Sequence, residues 1–206
     1  MTTTSFLDFF QLGALACLLG LGIGRGTVLY ARGVHVFAVD RQRTPLQGFA
    51  DLLALIFLIW WAYEAVAFSW PRSTHVVRGV LGAALLESVA IKLIGVPIVL
   101  AGLVIFALAL WSFADSWRIG IDRNAPGALV TGGIFAWTRN PVYIALDLIF
   151  SGTFLLQGRT IFLLLALALT ALLHYQVHRE EAYLTSAYGD TYREYCARVG
   201  RYTTRR

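Results

Sequence analysis

Residues 142–173, VYIALDLIFSGTFLLQGRTIFLLLALALTALL, decide the fold. Two apolar arms, 142–156 and 161–173, flank the short polar turn Gln157-Gly158-Arg159. Each arm is about long enough to cross a ~30 Å hydrocarbon core at ~1.5 Å per helical residue. The tight turn makes the arms antiparallel, so the polar residues that flank them emerge on the same membrane face. Before the hairpin stands Arg139-Asn140-Pro141-Val142-Tyr143, and after it Arg179-Glu180-Glu181-Ala182-Tyr183-Leu184. A guanidinium, an amide and two carboxylates are thereby gathered at one interface. That is the raw material of a site.

Composition carries the same message along the whole chain. Hydrophobic residues make up 58% and charged residues only 14%, which excludes an ordinary soluble domain and predicts a polytopic all-α membrane protein. Candidate spans are 6–23, 46–68, 95–113, 141–156 and 160–176. The apolar stretch 76–93 contains Arg78, Glu87 and Lys92 and reads as an interfacial or re-entrant helix instead of a sixth span. With five spans and the N-terminus outside, every Lys and Arg except Arg72, Arg78, Lys92 and Arg159 falls on the cytoplasmic face. A sixth span would strand most arginines outside. The net charge of +5 is then a belt facing lipid headgroups, and no basic-aromatic surface points to nucleic acid. The first positive charge, Arg25, follows the first apolar run, which is not the order of a secretory signal.

Several local patterns have plain structural readings. Gly20-Leu21-Gly22-Ile23-Gly24-Arg25-Gly26 looks like a phosphate loop but closes a span, and Ala16, Gly20 and Gly24 have the spacing of close helix packing. Trp60-Trp61-Ala62-Tyr63 reads as an interfacial aromatic belt. Glu64 must either face protein or reach outward to the headgroups. Cys17 and Cys196 form no disulfide framework, and His174 with His178 lacks a third ligand, so no metal site is expected. Asp147 lies one turn beyond Tyr143 on the same helix face. It is either a functional carboxylate inside the membrane or a partner for a polar group on a neighbouring helix.

Beyond the hairpin, Glu180, Leu184 and Tyr188 share a face, Gly189 permits a helix stop, and Asp190 can cap a further helix. Tyr192, Tyr195, Val199 and Tyr202 form its apolar stripe among Arg193, Arg198, Arg201 and Arg205, giving an amphipathic cytoplasmic segment able to cover the site.

Three blocks in this order are together specific: 129–143, LVTGGIFAWTRNPVY; 180–184, EEAYL; and 188–195, YGDTYREY. They resemble the isoprenylcysteine carboxyl methyltransferase family and its phospholipid methyltransferase relatives, while the earlier spans match only in hydrophobicity. The resemblance implies S-adenosylmethionine bound at the cytoplasmic interface by the last two spans and the tail. Carried over, Gly127, Ala128, Leu129, Val130, Phe135, Asn140, Pro141, Val142, Tyr143 and Glu180 would line the donor pocket. Asn140 stands where the family has His, Gln176 where it has an Arg one turn before the paired glutamates, and Arg201-Tyr202-Thr203-Thr204 where it closes on Arg-x-x-Pro. The chain then divides into an N-terminal transmembrane part, 1–113, and a catalytic part, 114–206.

The donor's chemistry suits these residues independently. Arg139 and the helix start at Pro141 fit its carboxylate, and Glu180 fits its ammonium or ribose hydroxyls. Phe135, Trp137 and Tyr143 offer faces for adenine and the sulfonium. Methyl transfer to an ionised carboxylate or thiolate needs alignment and water exclusion, not a base, so no His or Cys nucleophile is required. Arg139, Glu181 and Asp147 are the candidate catalytic residues. The acceptor is a lipophilic molecule or lipid with a polar head, entering from the bilayer. Two rival readings are a non-catalytic transporter or scaffold and a sterol-reductase-like membrane reductase using a nicotinamide cofactor.

Overall fold

The computed structural model describes residues 3–33, 44–70, 79–113 and 128–202. Within them lie five α-helices: α1 Thr3–Ala31, α2 Pro45–Ser69, α3 Val89–Ser112, α4 Pro141–Gln157 and α5 Thr160–Arg198. Four of these, all but α4, are long and apolar enough to cross a membrane, and α4 is a shorter apolar helix. The protein is an all-α, multi-pass membrane protein. At ~1.5 Å per residue the 39 residues of α5 amount to about 58 Å of helix, so nearly half of it lies beyond a ~30 Å core.

Local signals start and stop the helices. Thr44 caps α2 by accepting from Gln47 N, while the Gln47 side chain accepts from Thr44 N, and Pro45 occupies the first turn. Pro141 opens α4 in the same way. Gly158, at φ 64°, ends α4 in the left-handed conformation and turns the chain directly into α5.

That turn is tied to the segment before α3. Near 76–93, where an interfacial or re-entrant helix was expected, the described residues form one 3-10 turn, Gly79–Gly82, then extended chain up to α3. The reason lies in the hairpin turn, whose backbone needs partners. Leu85 N and Leu86 N both donate to Gly158 O, at 2.7 and 3.0 Å, and Thr160 N donates to Ala83 O at 3.1 Å. Arg159 adds a bond from Nη1 to Gly82 O at 2.7 Å and lies over the Phe68 ring.

The tightest packing is between α3 and α4, and it runs through glycine. A Cβ on Gly95 would lie 2.7 Å from Gly152 O, and one on Gly102 would lie 2.8 Å from Ala145 O. Small residues at these points let the two backbones approach closely. The Gly20 and Gly24 pattern in α1, expected to serve this purpose, has nothing within 4 Å among the described residues.

The aromatic reading of α2 is also corrected. Trp61 is buried in the core, edge-on to Phe150 at 5.0 Å, and is no part of an interfacial belt. Glu64 is fully buried and accepts from Trp60 Nε1 at 3.1 Å, so it faces protein. Gln11 donates to Thr153 Oγ1 at 3.3 Å, a buried polar link between α1 and α4. Such links are retained in membranes because an unpaired polar group in hydrocarbon costs several kcal/mol.

Candidate functional site

The hairpin brings its two polar clusters together at one end of the bundle. Glu181 is the hub. Its Oε2 accepts from Arg201 Nε at 2.9 Å and Nη2 at 2.7 Å, a two-pronged pair, and its Oε1 lies 3.3 Å from Arg139 Nη2. Asn140 Nδ2 reaches the same carboxylate at 3.4 Å and Arg201 O at 3.1 Å. The Glu181 side chain is 12% exposed and that of Arg139 14%. Charges this dry need the bonds that surround them. The hydrogen bond to Glu181 is the largest cause holding Arg201 above its ordinary pKa.

Glu180, one position earlier, serves a separate cluster. Its Oε1 accepts from the Tyr143 hydroxyl at 2.6 Å and from Gln176 Nε2 at 3.3 Å. Arg179 links this cluster to α2, donating to Asp51 at 2.7 Å and to Gln176 Oε1 at 2.9 Å. Adjacent helical residues project about 100° apart. The two glutamates use that divergence to hold two different clusters, and neither is a solvated face.

The tail is built into the site. Gly189, at φ 54° and ψ −124°, kinks α5, and the final turns fold back over the hairpin's open end. Tyr192, Tyr195 and Val199 form a small buried core with Leu129, Leu184 and Tyr188, so three residues of the expected stripe pack together. The fourth does not. Tyr202 turns away, its hydroxyl 2.6 Å from His174 Nδ1. Between them the backbone is clasped: Arg139 N donates to Gly200 O at 3.2 Å and Thr138 Oγ1 to Arg201 O at 3.1 Å. Arg139 Nη1 also donates to Cys196 Sγ.

The remaining sequence candidates are spread around this clasp. Ala128, Leu129 and Val130 form an extended strip, with Leu129 against the tail core. Gly127 lies outside the described residues. Phe135 is buried, its ring edge-on to Phe113 at 4.7 Å and its carbonyl accepting from Tyr195 at 2.6 Å. It therefore positions the loop and presents no open aromatic face. Trp137 is largely exposed. Asp147 accepts from Thr170 Oγ1 at 2.6 Å across the α4–α5 interface, away from the glutamate clusters. It lines a cleft of ≈ 600 Å³ with Tyr143, His174 and Tyr202.

Arg201 and Tyr202 are the functional candidates that sequence reasoning passed over, having assigned them to the cationic belt and the apolar stripe. A signal was present, since Arg201 begins the closing motif of the resembling family.

Two guanidinium donors in these clusters are left to be satisfied. Arg139 Nε and Arg179 Nε are buried donors with no hydrogen-bond partner among the described residues. Buried N–H groups are rarely left so, and a carboxylate arriving between the clusters would satisfy one.

A buried charge network at one end of a transmembrane hairpin, covered by the chain's own tail, defines a membrane protein with an interfacial site. Residues 90–191 match the model of the phospholipid methyltransferase family. The resemblance read from the sequence is thereby shown over that stretch, just under half of the chain: residues 90–191 are of the phospholipid methyltransferase family type. A curated relative, Protein-S-isoprenylcysteine O-methyltransferase of Schizosaccharomyces pombe, is 38% identical over 82 residues, covering 39% of this chain and 35% of the relative. The aligned part thus spans about a third of that relative's length.

Proposed function

We propose that this protein is an S-adenosylmethionine-dependent methyltransferase acting on a lipophilic acceptor at the cytoplasmic interface. The observation that carries the reading is the pair of polar clusters at the open end of α4 and α5, inside the family-matched stretch, with Arg139 Nε buried and without a partner among the described residues. When bound, S-adenosylmethionine supplies an electrophilic methyl group: a bond forms from the acceptor's lone pair to that carbon as the carbon–sulfur bond breaks, leaving a neutral thioether.

The chain's residues do the rest. Arg139 takes the donor's carboxylate on Nε while its other nitrogens hold Glu181 and Cys196. Glu180, fixed by Tyr143 and Gln176, faces the donor's ammonium or ribose hydroxyls. Asn140, tied to Glu181 and Arg201 O, positions the turn and moves no proton. The clasped tail, 199–202, excludes water, which strengthens each of these contacts and keeps the methyl from hydrolysis. Ala128, Leu129, Val130, Phe135 and Pro141 shape the surrounding wall. Five crossings with the N-terminus outside and the tail in the cytoplasm put the site where the soluble donor is made.

The test is a calorimetric titration of detergent-purified protein with S-adenosylmethionine and, separately, NADPH. Saturable binding of the first alone is expected. Binding of NADPH alone would replace this reading with the reductase one.

A further inference from the structure

Apart from the glutamate clusters, α5 carries two exposed histidines one turn apart, His174 and His178. Their Nε2 atoms lie 3.0 Å apart, their ring centroids 4.6 Å apart and their planes at 82°. A linear N–H···N bond of that length would hold the centroids about 5.3 Å apart, since each centroid sits about 1.15 Å behind its nitrogen. At 4.6 Å both rings lean, by about 45°, and their lone-pair directions converge to one side of the line joining the nitrogens. A proton held there makes a bent, poor hydrogen bond. A metal ion fits better. With metal–nitrogen bonds of about 2.05 Å, nitrogens 3.0 Å apart subtend about 94° at the ion, and the centroids then fall about 4.7 Å apart. Two separate distances thus describe one chelate.

We infer that His174 and His178 chelate a divalent transition ion beside the clasped tail, and that Tyr202 couples its occupancy to the tail. The Tyr202 hydroxyl lies 2.6 Å from His174 Nδ1. With Nδ1–H donating to that oxygen, the tautomer leaves the Nε2 lone pair free, and such a partner fixes the ring in metal-binding histidines. Two nitrogens at an angle near 90° suit Ni(II) or Cu(II), and not a hard ion such as Mg(II). Among the described residues no group of three His, Cys, Asp or Glu could hold a metal. Water therefore completes the coordination, and the ion exchanges freely, unlike one in a closed structural zinc centre. The sequence expectation of no metal site rests on that missing third ligand, which a two-nitrogen chelate does not need. Tyr202 follows Arg201, whose carbonyl is clasped by Thr138, so an ion that favours the His174–Tyr202 bond also holds the tail closed. Neither glutamate cluster enters this inference, which stands apart from the methyltransferase reading.

Full-length protein without a histidine tag is titrated by calorimetry, in detergent at pH 7.5, with NiCl2 and with MgCl2. The samples are wild type, His178→Gln, Tyr202→Phe and the double variant His35→Gln/His75→Gln. Wild type should bind one Ni(II) and no Mg(II). His178→Gln should abolish saturable Ni(II) binding, Tyr202→Phe should weaken it about tenfold, and the double variant should match wild type. Electron paramagnetic resonance of wild type loaded with one equivalent of CuCl2 should show two nitrogen donors, whatever the folding of the variants. Fewer than two nitrogens overturns the chelate, as does Ni(II) binding that survives His178→Gln or is lost in the double variant, or saturable Mg(II) binding. Unchanged affinity in Tyr202→Phe overturns the coupling to the tail.

Discussion

Glu181→Gln is the most informative single change, because one carboxylate holds the turn before α4 to the end of the tail. Glutamine keeps an acceptor oxygen but loses the charge that two guanidinium groups share. The Arg139 pair is nearly dry, at 14% and 12% exposure, and breaking such a pair from one side costs about 3–5 kcal/mol. The Arg201 partner is 35% exposed, so its share falls below about 1 kcal/mol. With the retained acceptor discounted, a loss of about 2–4 kcal/mol follows for the clasp. At about 1.4 kcal/mol per tenfold, local opening becomes roughly 30- to 700-fold more frequent. The Arg139 amide, which donates to Gly200 O at 3.2 Å, reports that opening directly. Hydrogen exchange followed by mass spectrometry should show faster exchange in peptides covering 138–140 and 199–202, with α3 unchanged. Glu180→Gln, which touches neither strand of the clasp, should leave the same amide protected. Unaltered exchange at Arg139 in Glu181→Gln would show that the tail is held by its aromatic core alone.

Glu180→Gln should weaken S-adenosylmethionine binding by about 1.5–3 kcal/mol in calorimetry, the range for a hydrogen bond to a charged group; equal affinities would take Glu180 out of the donor pocket. Gly102→Ala forces a Cβ to 2.8 Å from Ala145 O and should cost about 1–3 kcal/mol, read as a lower melting temperature in detergent, whereas Gly20→Ala should be near neutral. Activity should follow the acceptor's ionisation and no protein group near neutrality, since Asn140 does not titrate. Asn140→His should retain donor binding and add an inflection at about pH 6.5, and a wild-type profile indifferent to acceptor pKa would refute this. Reporter fusions at Thr4 and after Arg206 should mark opposite sides of the membrane, and the same side for both would end the five-crossing arrangement.

What could be read from the sequence is what depends on neighbours along the chain. The hairpin is legible because Gly158 sits between two arms of membrane length, and the meeting of Arg139 with the paired glutamates follows from that geometry alone. The partners of those residues are another matter. Glu181 binds Arg201 because Gly189 bends the helix at one particular pair of angles, and a glycine advertises only the freedom to bend. Glycines at Gly20 and Gly24 look the same on paper as those at Gly95, Gly102 and Gly152. Among the described residues only the second set faces a neighbouring helix, and helix rotation in an all-apolar bundle leaves no amphipathic trace to read. Trp61 fails for a similar reason, since a tryptophan near a span's end suits a headgroup layer or a core, and Phe150 decides which.

The knot around Gly158 has a mechanical consequence. With Leu85, Leu86 and Arg159 binding that turn to the preceding segment, α4 and α5 behave as the two blades of a pair of tweezers joined at the far membrane face. Any parting of the blades is nil at the joint and greatest at the tips, where Tyr143 and Glu180 meet. Over the ~26 Å length of α4, a splay of about 10° opens the tips by about 4.5 Å, roughly the width of one acyl chain. A modest tilt is thus enough to pass a lipid tail between the blades, and the contacts that join them, Tyr143 to Glu180, Thr170 to Asp147 and Arg139 to Glu181, are the catches that such a movement must release.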